Sequence, residues 1–112
     1  MRKGVFGVDI QIKRGLLDVC VLAAIKNGDS YGYQIVKDLG AVVTVTESTL
    51  YPILRRLEGA GALTVYSVEH NGRLRKFYRL TETGRAQLKS FAADWSELST
   101  MYDFIREGLG YE

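Results

Sequence analysis

The side chains best suited to chemistry lie in two short stretches of the chain, residues 46–58 and 71–76. If the first stretch is a helix, hydroxyl, phenol and guanidinium groups occupy the face opposite its apolar stripe: Ser48, Thr49, Tyr51, Arg55 and Arg56. The second stretch carries three cations beside a turn: Arg73, Arg75 and Lys76. Hydroxyls at a helix N-terminus donate to phosphates or base edges, and guanidinium groups bind phosphates or guanine. The helix alone fits an ordinary solvated surface equally well, but together with a basic hairpin it favours contact with DNA.

The residue types needed for catalysis are sparse. Cys20 and His70 are the only residues of their types, and two isolated side chains cannot form a metal site or a nucleophile–base pair. Cys20 lies in an apolar run, which is typical of a small core residue. Asp94 and Glu97 are three residues apart on a predicted helix, and a solvated acidic surface explains them better than glycoside hydrolysis does. The sequence therefore predicts a protein that is not an enzyme and has no metal or cofactor.

Charge is divided unevenly along the chain. The net charge is +2 over 112 residues, but residues 1–90 carry fourteen Lys/Arg against eight Asp/Glu, and residues 91–112 carry one Arg against five acids. The basic part of the chain is suited to binding a polyanion, whereas the acidic segment is expected to contact a different partner. The single cysteine fits a reducing compartment, and the longest apolar run, Val19–Ile25, is too short to cross a bilayer. We therefore expect one soluble, cytoplasmic domain that does not contact a membrane.

The elements that must position these side chains follow from hydrophobic periodicity and from turn residues. In chain order, we predict helices over 10–26, 31–39 and 47–58, strands over 63–68 and 75–80, and a helix over 82–108. Asp29 or Ser30 is expected to cap the second helix, Thr46 the third and Thr81 the last. The first helix is apolar on nearly every side after Asp18, which favours cover by a second subunit.

The last predicted helix carries an apolar seam. Six residues along it are spaced 4, 3, 4, 3 and 4 apart: Phe91, Trp95, Leu98, Tyr102, Ile105 and Leu109. This heptad pattern extends over nearly three repeats and predicts a partner helix along the seam. We expect Leu16 and Cys20 of the first helix to lie in the same dimer interface.

Three motifs in this order resemble the PadR family of transcriptional regulators. They are Ser48-Thr-Leu-Tyr-Pro-Ile-Leu-Arg-Arg-Leu-Glu58 with Gly61, Ser30-Tyr-Gly-Tyr-Gln-Ile35, and Arg75-Lys-Phe-Tyr-Arg-Leu-Thr81 with Gly84. The resemblance implies an α+β, mainly helical fold: a winged helix-turn-helix over residues 1–80 and a long C-terminal dimerisation helix over residues 81–112. It also implies a homodimer that binds double-stranded operator DNA, usually as a repressor. Residues that match the family's positions at the DNA are Ser48, Thr49 and Tyr51, with Arg73, Arg75 and Lys76 in the wing. We expect Tyr31 to contact DNA as well.

The short C-terminus is similar to the subfamily with a single dimerising helix, which includes multidrug-sensing repressors. In one such repressor, flat hydrophobic compounds stack between aromatic residues at the dimer centre, and Trp95 matches that position. The same resemblance places Val19, Ala23 and Ser99 at the effector site. Ser99 stands where that repressor has an acidic residue and Ala23 where it has a polar one, so a preference for cationic drugs is not implied. Trp95 fits equally well as a packing residue of the seam.

A protein-interaction module is the competing hypothesis for the whole chain. In that case the winged helix has lost DNA binding, and only the seam on the last helix matters. The cations of the hairpin and of the third helix argue against this hypothesis, because such a module has no need of them.

Overall fold

The computed structural model describes residues 10–110, with side chains from residue 14 onward. Its elements are α1 (Ile10–Ala24), β1 (Ser30–Tyr31), α2 (Gly32–Leu39), α3 (Glu47–Gly59), β2 (Leu63–His70), β3 (Arg73–Leu80) and α4 (Glu82–Gly108). Four helices and a small antiparallel sheet confirm the predicted fold class, a mainly helical α+β winged helix-turn-helix with a long C-terminal helix.

The helix starts are set by capping hydroxyls at two of the three predicted places. The hydroxyl of Thr46 accepts from the backbone N–H of Thr49 at 3.2 Å, and that of Thr81 accepts from Gly84 at 3.0 Å. The predicted cap of α2 by Asp29 or Ser30 is wrong. Its N-cap is Tyr31, and the side chain of that residue makes no capping hydrogen bond. Pairing with the sheet is the reason, because the chain is still extended immediately before α2.

The sheet has the strand order β1-β3-β2, and both pairings are antiparallel. The hairpin of β2 and β3, called the wing from here on, is longer than predicted, because pairing extends to His70 and Arg73 at its tip. Asn71 and Gly72 form the two-residue turn between them, with φ of 54° and 77°. Positive φ at both positions is what a tight hairpin turn requires and is why asparagine and glycine suit it.

The core lies between α1, α2, α3 and the base of the wing. The predicted stripe on α3 is confirmed, since each of its four members is buried: Leu50, Ile53, Leu54 and Leu57. Val21 and Leu22 of α1 and Ile25 just after it belong to the same core, together with Tyr78 and Leu80 of the sheet. Because α3 buries one face in this way, its opposite face and its N-terminus remain open to solvent.

Helix α4 is joined to this body at its start and extends away from it. Gly84 is buried, and a Cβ there would collide with the carbonyl oxygen of Ala62 and with Leu80. At 27 residues the helix is about 40 Å long. Its later apolar side chains are largely exposed, with 51% of Trp95, 57% of Tyr102 and 77% of Phe104 open to solvent. Over the part of the chain that the structure describes, no helix is both long and apolar enough to span a membrane.

Candidate nucleic-acid interface

The N-terminus of α3 presents a cluster of hydroxyls to solvent. Thr46 lies at its centre, with its oxygen 3.0 Å from that of Ser48 and 3.2 Å from that of Thr49. All three residues are exposed. The amides of the first turn point in the same direction as these hydroxyls, so this end of α3 can donate to phosphate oxygens or base edges.

Tyr51 packs at the junction of α2 and α3. Its ring lies against Gly32 at the start of α2, where a Cβ would collide with the phenol. The phenol hydroxyl donates to the Glu47 carboxylate at 3.3 Å. Burial raises the pKa of Tyr51, and the charge of Glu47 raises it further, so the phenol keeps its proton at neutral pH. Tyr51 is thus half-buried and held in one orientation beside the open face of α3.

The cations of the wing divide between its two faces. Since successive side chains of a strand point to opposite faces, Arg73, Arg75 and Arg79 share one face of β3, and Lys76 lies on the other. The guanidinium of Arg75 stacks on the ring of Tyr31, 4.3 Å from its centroid. Tyr31 therefore contacts Arg75 directly. It does so from β1, the short strand that was not predicted from the sequence.

Arg79 belongs to a polar cluster at the base of the wing. Its guanidinium donates to Asp29, with one nitrogen 2.9 Å from a carboxylate oxygen, and the hydroxyl of Tyr66 donates to the same carboxylate. The hydrogen bond from Arg79, followed by that from Tyr66, lowers the pKa of Asp29. The ring of Tyr66 also stacks on Phe77 at 5.7 Å. This cluster joins the loop after α1 to the wing, and sequence analysis missed it.

The two arginines of α3 differ in their surroundings. Arg56 donates to Asp18 of α1 and forms an ion pair with it. Arg55 is exposed and forms no ion pair with any side chain that the structure describes. The structure therefore leaves Arg55 open to an external anion and gives Arg56 a partner within the fold.

A basic cleft of about 800 Å³ lies between the starts of α2 and α3 and the wing. Five of the residues predicted to contact DNA line it: Tyr31, Tyr51, Arg73, Arg75 and Lys76. The remaining four line no part of the cleft: Ser48, Thr49, Arg55 and Arg56. Tyr33 and Glu47 line it as well and were not predicted, although the position of Glu47 beside the capping residue Thr46 is visible in the sequence.

Comparison with known proteins identifies this arrangement. The sequence model of the "Transcriptional regulator PadR-like family" matches residues 21–90. The chain belongs to this family. A protein from Lysinibacillus sphaericus of no described function is 34% identical over 103 residues, which cover 88% of this chain and 94% of that protein.

Solved structures with the same fold are found in the comparison. A PadR family transcriptional regulator from Eggerthella lenta superposes with a TM-score of 0.79 at 32% identity, and the match covers 88% of each chain. A protein from Streptococcus mutans UA159 has 43% identity and a TM-score of 0.72, covering 83% of this chain and 88% of that one. Members of the PadR-like family are transcriptional regulators, so the predictions of a regulator and against an enzyme are confirmed.

The predicted dimer residues of this PadR-like regulator lie on two surfaces. Those on α4 and at its C-cap are exposed, apart from the half-buried Phe91: Trp95, Leu98, Tyr102, Ile105 and the C-cap residue Leu109. On α1, Leu16 is exposed and Cys20 is half-buried and packs against the core. Their role in a dimer stays a prediction.

The residues predicted to bind an effector lie on the same two helices of the PadR-like regulator. Val19 and Ala23 are one turn apart on α1, and Trp95 and Ser99 are one turn apart on α4. Val19 and Ser99 are half-buried, and Ala23 and Trp95 are exposed. Trp95 stacks on Phe91 with ring centroids 6.1 Å apart, so one neighbour within its own helix already contacts its indole.

Proposed function

We propose that this PadR-like regulator is a homodimeric repressor that binds a palindromic operator through the N-terminus of α3 and the wing. The observation that carries the proposal is the basic cleft. It unites Tyr51, held against α2, with Arg73, Arg75 and Lys76 of the wing. Such a surface offers phosphate contacts from the wing beside a helix of the right size for the major groove. Ser48, Thr49 and Arg55 extend it along the exposed face of α3.

Operator binding is also supported by a structural neighbour. Bacillus subtilis PadR in complex with operator DNA superposes on this chain with a TM-score of 0.65 at 24% identity, over 69% of this chain and 46% of that one. At this identity the likeness concerns the fold, and the DNA belongs to that protein. We carry the partner over to this chain because its own cleft has the charge that DNA requires.

The proposal of a dimer rests on the exposed apolar surface of α4. This surface shows five exposed seam residues, and the helix reaches far beyond the core that covers its start. Two copies packed along the seam would form one dimerising unit from residues 81–112 and hold two DNA-binding parts, residues 1–80, in two-fold symmetry. The recognition helices would then lie about 34–36 Å apart, or at a multiple of that spacing, and the operator would be palindromic.

Release by a small molecule is the third part of the proposal. Trp95 is half exposed, and two-fold symmetry across the seam would bring two copies of it near the dimer centre. A flat hydrophobic compound stacked between them would alter the spacing of the DNA-binding parts. Fluorescence titration of Trp95 with flat aromatic compounds tests this part: quenching with release from DNA supports a sensor, and no response gives Trp95 a packing role.

A mobility-shift assay on the upstream region of its own gene tests operator binding. The dimer should shift that fragment and not a scrambled one, and binding should weaken steeply as salt rises, because cations on the protein displace counterions from DNA. Replacement of either Arg73 or Arg75 by alanine should weaken binding, whereas Arg85→Ala on α4 is a control that also removes one positive charge but lies outside the cleft. Absence of any shift at low salt would favour the protein-interaction module. A regulator of this kind works in the cytoplasm, where a free Cys20 is expected.

A further inference from the structure

One carboxylate lies in the otherwise cationic cleft. Glu47 is the first residue of α3 and lines the cleft together with Arg73, Arg75 and Lys76. The ion pairs found among the described side chains are Asp18–Arg56 and Asp29–Arg79, so none of these wing cations neutralises Glu47 within the fold. Its hydrogen-bond partner is the hydroxyl of Tyr51, 3.3 Å away.

Helix capping does not account for the position of this carboxylate. The cap of α3 is the hydroxyl of Thr46, and the third helical position, where an acidic residue would complete a capping box, holds Thr49. Glu47 therefore gains only the general attraction of an anion to a helix N-terminus. On a surface that binds a polyanion, the same charge repels phosphates whatever the DNA sequence. That repulsion is offset only where the carboxylate accepts a hydrogen bond from the DNA.

The hydrogen bond between the two side chains decides what they present to the cleft. A phenol has one proton to donate, and Tyr51 donates it to Glu47. What remains on both groups is a set of oxygen lone pairs, so the pair acts as an acceptor only. In the major groove cytosine and adenine present an amino group, whereas guanine and thymine present only acceptors at their hydrogen-bonding positions.

We propose that the Glu47–Tyr51 pair is a specificity determinant that selects cytosine or adenine at one position of each half-site. If guanine or thymine occupied that position on the strand that faces the pair, its acceptor atoms would lie against the acceptor oxygens of Glu47 and Tyr51. The two sets of lone pairs would repel each other. The inference rests on the proposed function, since it requires that the cleft bind duplex DNA. It adds that Tyr51 orients Glu47, and that the contact which distinguishes bases in this cleft is made by an anion.

Selection from a random duplex library with the full-length protein tests the proposal. The wild type should favour cytosine or adenine over guanine and thymine by about tenfold or more at one position of each half-site. Glu47→Gln keeps the shape but adds an amide that can also donate to guanine and thymine, so the discrimination against these two bases should largely disappear and cytosine should lose its advantage over them. Glu58→Gln is the matched control, because it removes the same charge from the same helix at an exposed site outside the cleft. Its selected sequences should equal those of the wild type.

The outcomes separate this inference from the proposed function. If Glu47→Gln selects the same bases as the wild type, the specificity role is overturned while operator binding stands. If the wild type enriches no sequence at low salt, the proposed function and the inference are both overturned. Tyr51→Phe, which keeps the carboxylate but removes its partner, gives a second test that does not depend on the folding of the first variant. It should weaken the preference at the same base position, and an unchanged preference would contradict the role of the pair.

Discussion

The guanidinium of Arg79 and the carboxylate of Asp29 are joined across 50 positions of sequence, with nitrogen and oxygen 2.9 Å apart. Asp29 lies in the loop that follows α1, and Arg79 lies in the strand that carries the wing cations. The helix predicted to reach the dimer partner is therefore tied to the hairpin predicted to reach DNA. Tyr66 donates to the same carboxylate, so the connection does not depend on a single hydrogen bond.

Replacement of Asp29 by asparagine should increase local opening of the wing but should change the free energy of unfolding of the whole domain only slightly. An exposed ion pair contributes little to the free energy of unfolding, so the midpoint of urea unfolding should fall only slightly. Amide hydrogens of β3 should nevertheless exchange faster, because the wing loses its connection to the loop after α1. Hydrogen exchange followed by mass spectrometry measures this change. Glu97→Gln on α4 is the control, and equal exchange in the two variants would contradict the connection.

The same carboxylate gives the stability of the protein a defined pH dependence. The hydrogen bonds from Arg79 and Tyr66 hold the pKa of Asp29 below the value of about 3.9 found in an unfolded chain. Its contribution is therefore complete above that value and is lost as pH falls through the lower pKa of the folded state. Urea unfolding at several pH values between about 2 and 5 should show a smaller acid-induced loss for Asp29→Asn than for the wild type, because the loss occurs below the unfolded pKa. Identical pH profiles would show that Asp29 is not held in this way.

Elements set by local sequence were predictable. Thr46 caps α3, four apolar residues give that helix its buried face, and Thr81 caps α4, because capping and periodicity act within one or two turns. The two-residue strand Ser30–Tyr31 was missed for the opposite reason. It exists only because β3 pairs with it from 46 to 48 positions further along, and two residues carry no periodic signal.

The site residues were predictable from the sequence, but the long-range contacts that hold them were not. Residue type and helix geometry identified Tyr51 and the wing cations, and the cleft brings these residues together. Sequence could not show that Arg56 is paired with Asp18, 38 positions away, or that Arg75 stacks on Tyr31. Such contacts depend on the angles at which α1, α3 and the sheet pack, and those angles are a property of the whole core.

Arg55→Ala and Arg56→Ala should change different properties of the protein. Arg55 is exposed and unpaired among the described side chains, so Arg55→Ala should weaken operator binding and reduce the salt slope by about one, without a change in stability. Arg56→Ala breaks the ion pair with Asp18 and should lower the free energy of unfolding by about 0.2–1 kcal/mol. Salt titrations of operator binding and urea unfolding measure the two effects. A salt slope reduced equally in both variants would place both guanidinium groups on phosphates.

Alanine at Gly84 should be the most damaging small substitution at the start of α4. A Cβ at this position would collide with the backbone oxygen of Ala62, which cannot move without the sheet. We expect a loss of about 1–3 kcal/mol in the free energy of unfolding, the usual result of overpacking. Gly59→Ala, at the end of α3, is the matched control, since a Cβ there has open space. If urea unfolding gives both variants the stability of the wild type, α4 does not depend on this close contact.

Aspartate at Leu98 should separate the proposed dimer. Leu98 lies on the predicted seam and is 44% exposed in the single chain, so a carboxylate there is hydrated in the monomer. In a dimer it would be buried without a partner, which costs about 3–5 kcal/mol and would raise the dissociation constant by more than about a hundredfold. Ala93→Asp introduces the same charge on the opposite side of α4 and should leave the dimer intact. Sedimentation equilibrium distinguishes the two variants. A Leu98→Asp variant that still sediments as a dimer would mean that the subunits meet along a surface other than this seam.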